Sequence, residues 1–336
     1  MRRAKPLWRL RSGFLPTLWP SKEWAGGMGR RNGGVVGYDK DQLNFSRICM
    51  IKLVAFDLDG TVLNGAGIAS AESLRVIREM RARGVALSTM SGRNVAKSLA
   101  PFSGEPGLTD AMHCGAYNGA LVVGPLTDGR RRVVFEQRMP EDALSDLLAH
   151  IQERNYNFIY YACDPHPTLG VEERYISDRP SPSTENIIRQ VGAEFTFDAG
   201  LLNRIRRGDL GPPPKILILP GEDRREAVFH EVADRFKGRL YVARTDRDRV
   251  ELMHPQVNKR AALEHIARSQ GIDLSETLAV GDGDNDLPMI LGAGVGLVMG
   301  DAPDHVKARA DGNRVHLVAG FKDEGFAKAM REYVLT

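Results

Sequence analysis

The chain has 336 residues, 42% of them hydrophobic and 26% charged, the balance of an ordinary globular protein with one large or two smaller domains. No apolar run approaches the roughly 18 residues of a membrane span, so no membrane partner is expected. The three cysteines (Cys49, Cys114, Cys163) form no C-x-x-C, which argues against a disulfide scaffold or a structural zinc site and fits a reducing, cytoplasmic setting.

Residues 1–49 hold ten Lys/Arg against three Asp/Glu, a net +7, which leaves −4 of the chain's +3 for the other 287 residues. The basic character belongs to this leader, so a nucleic-acid-binding body is not indicated. Pro6, Pro16 and Pro20 interrupt any long helix, and Gly26-Gly27 and Gly33-Gly34 loosen the chain. Three readings compete: a segment outside the fold, with Met50 the natural start; an Arg-rich, acid-poor transit peptide; and a basic arm.

Ile51 to Phe56 reads as a buried strand of a parallel sheet. It ends in Asp57-Leu58-Asp59-Gly60-Thr61. Strand side chains alternate, so Asp57 and Asp59 would share a face if the extended geometry continued. Ligands bind at the carboxyl ends of such strands, and two acids there repel unless a cation or a shared proton separates them. An Asp/Gly turn is the plainer alternative. Next, Ser70 is placed to cap a helix with Leu74, Ile77 and Met80 at three-residue steps, and Gly84 to end it. Val85 to Met90 is the following strand, giving a βαβ unit. It runs into Ser91-Gly92-Arg93, where a hydroxyl and a backbone N–H are placed to meet an anion, or simply to turn the chain. Ala111 to Tyr117 is a third strand. Asn118-Gly119 followed by Leu121-Val122-Val123 signals a hairpin, which accounts for that pair without any role in a site.

A Gly/Arg-rich link, Gly124 to Arg132, precedes the middle segment, 131–248. Pro140 opens an amphipathic helix with Leu144, Leu147, Leu148 and Ile151 on one face. Strands are predicted at Asn157–Cys163, Phe195–Phe197, Lys215–Leu219 and Arg239–Ala243, with a helix at Arg224–Phe236. This composes a separate α/β lid inserted into the first domain. His166, Arg204, Arg206 and Arg207 read as loop residues of the lid, with contact to an anionic substrate the alternative.

Val250 to Met253 is a short strand that returns to the core. Asn258 caps the helix after it. Lys259 then falls in a first turn that is already electropositive, where a surface position or an anion shared with the helix terminus would explain it. Leu278-Ala279-Val280 is another apolar strand, ending in Gly281-Asp282-Gly283-Asp284-Asn285-Asp286. An EF-hand is excluded, because position six would be Leu287 rather than Gly and position twelve Ala293 rather than Glu. A hard cation held by carboxylates from two strands suits magnesium.

Taken together, these motifs resemble those of the haloacid dehalogenase superfamily of phosphohydrolases, in particular its Cof-like, type IIB group. Asp57-Leu58-Asp59-Gly60-Thr61, Ser91-Gly92-Arg93, Val257-Asn258-Lys259 and Gly281-Asp282 through Asn285-Asp286 match the four motifs in order. Asn118-Gly119-Ala120 and Val298-Met299-Gly300 with Ala302-Pro303 also fit the subgroup. Serine stands at 91 in place of the commoner threonine, and Arg260 in place of glycine.

The resemblance covers residues 50–336. It implies an α/β fold: a Rossmann-like parallel-sheet core at 50–130 and 249–336, with an inserted α/β (C2-type) cap at 131–248. It further implies a Mg²⁺-dependent phosphomonoesterase for sugar phosphates or similar small phosphorylated metabolites. Asp57 would be the nucleophile that becomes an aspartyl-phosphate, and Asp59 the general acid and base. Mg²⁺ would sit on Asp57, the main-chain carbonyl of Asp59, and Asp282. Ser91, Gly92, Lys259 and Asn285 would hold phosphoryl oxygens, with Asp286 supporting them. A phosphotransferase or phosphosugar mutase, and a phosphosugar-binding regulator without turnover, are the alternatives. The intact Asp57/Asp59 pair argues against the regulator.

Overall fold

A computed structural model describes residues 50–191, 194–310 and 314–336. The leader 1–49, and with it Cys49 and the three readings of that segment, lies outside the described residues. Cys114 and Cys163 are buried free thiols.

Among the described residues, fourteen strands make two sheets. In chain order they are β1 (Leu53–Phe56), β2 (Ala86–Met90), β3 (His113–Ala116), β4 (Leu121–Val123), β5 (Val133–Glu136), β6 (Phe158–His166), β7 (Gly170–Ser177), β8 (Phe195–Phe197), β9 (Lys215–Ile218), β10 (Tyr241–Thr245), β11 (Arg249–Met253), β12 (Thr277–Gly281), β13 (Val295–Val298) and β14 (Val315–Leu317). The first sheet has the order β14-β13-β12-β1-β2-β3-β4-β5. It is parallel from β14 to β3, with β4 and β5 antiparallel at one edge. The second has the order β10-β11-β9-β6-β7-β8 and is antiparallel except for β7 with β8. The α/β parallel-sheet core with an inserted α/β cap is as the sequence implied.

All four residues of β1 are fully buried, as an apolar run covered on both faces must be. Helix Ala71–Ala82 lies on one side, with Ser73, Val76, Ile77 and Met80 turned inward. Ser70 accepts from Ser73 N as the helix cap, and Gly84 follows the helix with φ +80°. The chain leaves β1 toward β2 and later returns through β12 on β1's other side. The sheet order therefore reverses between β1 and β12, and a crevice opens at their carboxyl ends.

Two strands fall across the expected boundaries at 131 and 249. β5 pairs with β4 in the core sheet, and β11 pairs with β9 and β10 in the cap sheet. The Gly/Arg-rich link is not a hinge between layers. Arg131 is buried in it and donates to the carbonyls of Thr109, Met112 and Gly124, so the chain stays on the core until β5 is complete. In the cap, β7 and helices Pro182–Val191 and Leu201–Arg206 add to the elements read from the sequence. His166 is the last residue of β6 rather than a free loop residue, and its Nδ1 accepts from the Thr168 and Leu169 amides. Arg204 and Arg207 are tied to Asp198 and Asp209. Among the described residues no helix is long and apolar enough to cross a membrane.

Candidate active site

Asp57 is the first residue past β1, and Asp282 the first past β12. Because β1 and β12 are adjacent and in register, with Phe56 opposite Val280, the two acids leave the sheet side by side. Asp286 joins them from the start of helix Leu287–Gly292, and one carboxylate oxygen from each of the three lies within 4.8 Å of the others. Two glycines permit the crowding. Gly60 has φ +83°, and a Cβ there would come within 2.3 Å of Asp282 Oδ2. A Cβ on Gly281 would come within 2.4 Å of Asp286 Cγ.

Lys259 closes the cluster. Asn258 caps helix Lys259–Ser269 by accepting from Ala261 N, which fixes Lys259 as the first helical residue. Its side chain is fully buried, and Nζ donates to Asp57 Oδ1 at 2.6 Å and to Asp286 Oδ1 at 2.5 Å. Asp286 Oδ2 also accepts from the amides of Asp282 and Gly283, at 3.1 and 2.9 Å. Neither a surface position nor a lone helix-terminal anion describes this lysine, because it is the counter-ion of two buried carboxylates.

One ammonium faces three carboxylates, and burial makes the mismatch costly. Desolvation, and then the neighbouring Asp286 charge, push the Asp57 carboxyl well above the ordinary range even though Lys259 opposes this. Burial, and then Asp286, raise Asp282 to about 6. Burial alone would lower Lys259, but Asp286 and Asp57 outweigh it and hold the ammonium charged. A hard, oxygen-seeking divalent cation fits this donor set, because it supplies the positive charge that the protein leaves short.

Asp59 is separated from this cluster by its partner. Both of its oxygens accept from the Arg93 guanidinium, and the carboxylate is more than half exposed. Ser91 follows β2, is buried, and accepts from Arg93 N through Oγ. Asn285 Nδ2 donates to Asn118 Oδ1 at 3.0 Å. The hairpin at Asn118-Gly119 exists, but Asn118 does more than turn the chain. Its Nδ2 donates across to Glu251 of the cap. Tyr117 and Asn118 both take positive φ to make this turn, an uncommon conformation for a side chain as large as tyrosine.

The cap contacts the same loops. Glu173 accepts from Val95 N, Ala96 N and Tyr117 Oη, and Lys215 Nζ donates to Gly92 O and to Glu251. Between the layers lies a cleft of about 510 Å³, lined by Arg93 and Lys97 of the core and by Tyr161, Tyr175, Phe195 and Lys215 of the cap. Sequence reasoning did not assign roles to Arg93, Asn118, Glu173, Lys215 or Glu251. The available signal was a charge inside an apolar strand, as at Lys215 before Ile216-Leu217-Ile218 and at Glu251 between Val250 and Leu252.

With this geometry in view, the family profile described as haloacid dehalogenase-like hydrolase matches residues 54–330. The chain belongs to the haloacid dehalogenase-like hydrolases. Among curated relatives it is similar to the 5-amino-6-(5-phospho-D-ribitylamino)uracil phosphatase YcsE of Bacillus subtilis (strain 168), 26% identical over 285 residues, covering 85% of this chain and 96% of the relative. It is also similar to the phosphatase YwpJ of the same organism, 26% identical, covering 78% of this chain and 93% of that one. Two solved structures share the fold. TM0651 from Thermotoga maritima has a TM-score of 0.72 at 22% identity, covering 84% of this chain and 97% of that one. The subclass IIB sugar phosphatase BT4131 has a TM-score of 0.63 at 20% identity, covering 84% and 98%. This haloacid dehalogenase-like hydrolase therefore matches its relatives over nearly their whole length, cap included.

Proposed function

We propose that the protein is a Mg²⁺-dependent phosphatase that cleaves small phosphorylated metabolites through an aspartyl-phosphate on Asp57. The observation that carries this reading is the cluster of buried Asp57 and Asp286 and half-buried Asp282 around Lys259, at the point where the sheet order reverses. The relatives named as phosphatases support the reaction class. Asp57, the main-chain carbonyl of Asp59, and Asp282 would hold the ion, with Asp286 adjoining. When bound, the ion offsets the repulsion between an anionic carboxylate and an anionic phosphate ester.

The chain's own groups do the rest. An Asp57 oxygen attacks phosphorus in line with the ester oxygen, and that bond breaks as Asp59 hands the leaving oxygen a proton. Water then attacks the phosphorus of the aspartyl-phosphate while Asp59 takes its proton, which frees phosphate and restores Asp57. For the first step Asp59 must turn away from Arg93, whose guanidinium engages both of its oxygens. Ser91, the Gly92 N–H, Lys259 and Asn285 would receive the phosphoryl oxygens. The cap would close over the leaving group and exclude water.

Sugar phosphates and related polyol phosphates are the substrate class. The aromatic wall of Tyr161, Tyr175 and Phe195 also fits a leaving group that carries a flat ring, such as the ribitylaminouracil in the name of the relative YcsE. Phosphate release from a panel of hexose, pentose, polyol and ring-bearing phosphate esters, with Mg²⁺ and with chelator, tests the proposal. Release from one or more esters that stops on chelation is expected, and no Mg²⁺-dependent release from any would contradict it.

Two further results follow from the site. Asp59→Ala is expected to form phosphoenzyme slowly and to break it down more slowly still, so labelled phosphate trapped on protein persists longer than in wild type. Loss of all trapped label, together with normal turnover, would remove Asp59 from both steps. The second concerns pH. Asp57 and Asp282 have folded-state pKa values raised above the unfolded value of 3.8. The metal-free folded chain therefore keeps protons that the unfolded chain has lost. Its stability falls as pH rises from about 4 through about 6 and beyond, while Lys259 stays charged throughout. Mg²⁺ competes with those protons, so the rise in Tm it causes is expected to be larger at about pH 8 than at about pH 5. Thermal melts at the two pH values check this, and an equal or smaller rise at the higher pH would contradict it.

A further inference from the structure

A chain of hydrogen bonds runs from the cap sheet into the catalytic loops. Lys215 Nζ donates to Glu251 Oε2 at 3.0 Å, and both side chains are buried at under a tenth of their free exposure. Lys215 also donates to the carbonyl of Gly92 at 3.1 Å. Glu251 Oε1 accepts from Asn118 Nδ2 at 3.0 Å, and Asn118 Oδ1 accepts from Asn285 Nδ2 at 3.0 Å. Asn285 Oδ1 lies on the other side, over Gly283, where a Cβ would meet it at 2.7 Å.

The polarity of this chain is forced from its cap end. An amide can present either its oxygen or its NH₂ to a neighbour, and asparagine alone does not choose. A carboxylate held by a lysine only accepts. Asn118 must therefore give Glu251 its NH₂, which leaves its oxygen for Asn285, and Asn285 must then turn its NH₂ toward Asn118. We infer that Lys215 and Glu251 are positioning residues that set the amide of Asn285 donor-outward, so that its remaining N–H is left for a phosphoryl oxygen. The inference rests on the phosphatase reading for the identity of the ligand, but not for the direction of the hydrogen bonds. Glu251 and Lys215 belong to the cap and Asn118 and Asn285 to the core. The donor is thus set only when the cap sheet sits against the core loops, which ties readiness for phosphate to closure.

Glu251→Gln keeps the shape and breaks the rule. The glutamine oxygen stays with Lys215, and its NH₂ then faces Asn118, which has to reverse and in turn reverses Asn285. The test is a cycle of Glu251→Gln, Asn285→Ala and the double variant. It is read by kcat/KM for the best ester of the panel and by inhibition with inorganic phosphate, with folding checked by thermal melts. Glu251→Gln is expected to lose roughly 10- to 100-fold in kcat/KM and to weaken phosphate inhibition, as misdirecting one transition-state donor does. In the Asn285→Ala background the same change is expected to alter both by less than about twofold. Equal losses in both backgrounds, or no loss in either, overturn the proposal. If Glu251→Gln does not fold, Asn118→Ala enters the same cycle from the next link, with the same expected lack of additivity. If the wild type turns over no ester, the phosphatase reading fails on its own. Phosphate binding measured by calorimetry across the same variants then still reads the chain of amides.

Discussion

Asp57→Asn is expected to remove phosphate release by more than about 10⁴-fold while leaving the fold intact, the scale on which loss of a nucleophile is felt. The amide has the shape of the carboxylate but cannot attack phosphorus. Stability is not expected to fall. Desolvation and the Asp286 charge already disfavour the ionised form of Asp57, so a neutral side chain relieves part of the excess negative charge around Lys259. Steady-state phosphate release and thermal melts read the two effects separately. Turnover near wild type would contradict the nucleophile assignment, and loss of the folded state would contradict the charge argument.

Lys259→Met is expected to be the most damaging single change to both stability and turnover. It keeps the volume of the stem but leaves Asp57 and Asp286 buried without their counter-ion. Removing one partner of a buried pair costs about 3–5 kcal/mol. The sign of the pH dependence is fixed by the same charges. With the ammonium gone, Asp57 loses the one charge that opposes its protonation and takes up a proton more readily in the folded state, so the deficit narrows in acid and widens as pH rises. Urea unfolding of variant and wild type at about pH 5 and about pH 8 checks this. A variant as stable as wild type at the higher pH would mean that Lys259 is not the charge that holds the cluster.

The parts of this molecule that local chemistry dictates were legible in the sequence. An uninterrupted apolar run from Leu53 to Phe56 can only be a covered strand, and the acids at 57 and 282 stand where two such runs stop. Ser70 and Asn258 announce their helices by capping them, and both do so. What long-range pairing decides was less legible. β5 reads as the start of the insertion because a Gly/Arg-rich stretch precedes it, yet the buried guanidinium of Arg131 keeps that stretch on the core. β11 reads as core because it leads into Asn258, yet its partners are β9 and β10. β7 was hidden because Glu172, Glu173 and Arg174 mask its alternation. Its buried positions, Val171, Ile176 and Ser177, do not keep a strict two-residue step.

The site divides in the same way. Asp57, Lys259 and Asp282 follow from motif and strand end, and they do converge. Asp286, expected as a supporting group, is a full member of the carboxylate cluster, because Lys259 lies between it and Asp57. The pairing of Asp59 with Arg93, and the line from Lys215 to Asn285, depend on contacts between residues up to 167 positions apart, and no periodicity encodes them.

Chemical trapping of the covalent intermediate tests the account at its centre. The enzyme is mixed with Mg²⁺ and its best ester, quenched within a turnover, and reduced with borohydride, which converts an acyl phosphate of aspartate to homoserine. Peptide mass spectrometry is expected to find homoserine at position 57 alone, and only when both Mg²⁺ and ester are present. Phosphate release that proceeds with Asp57 unmodified, or a modified residue elsewhere, would contradict it.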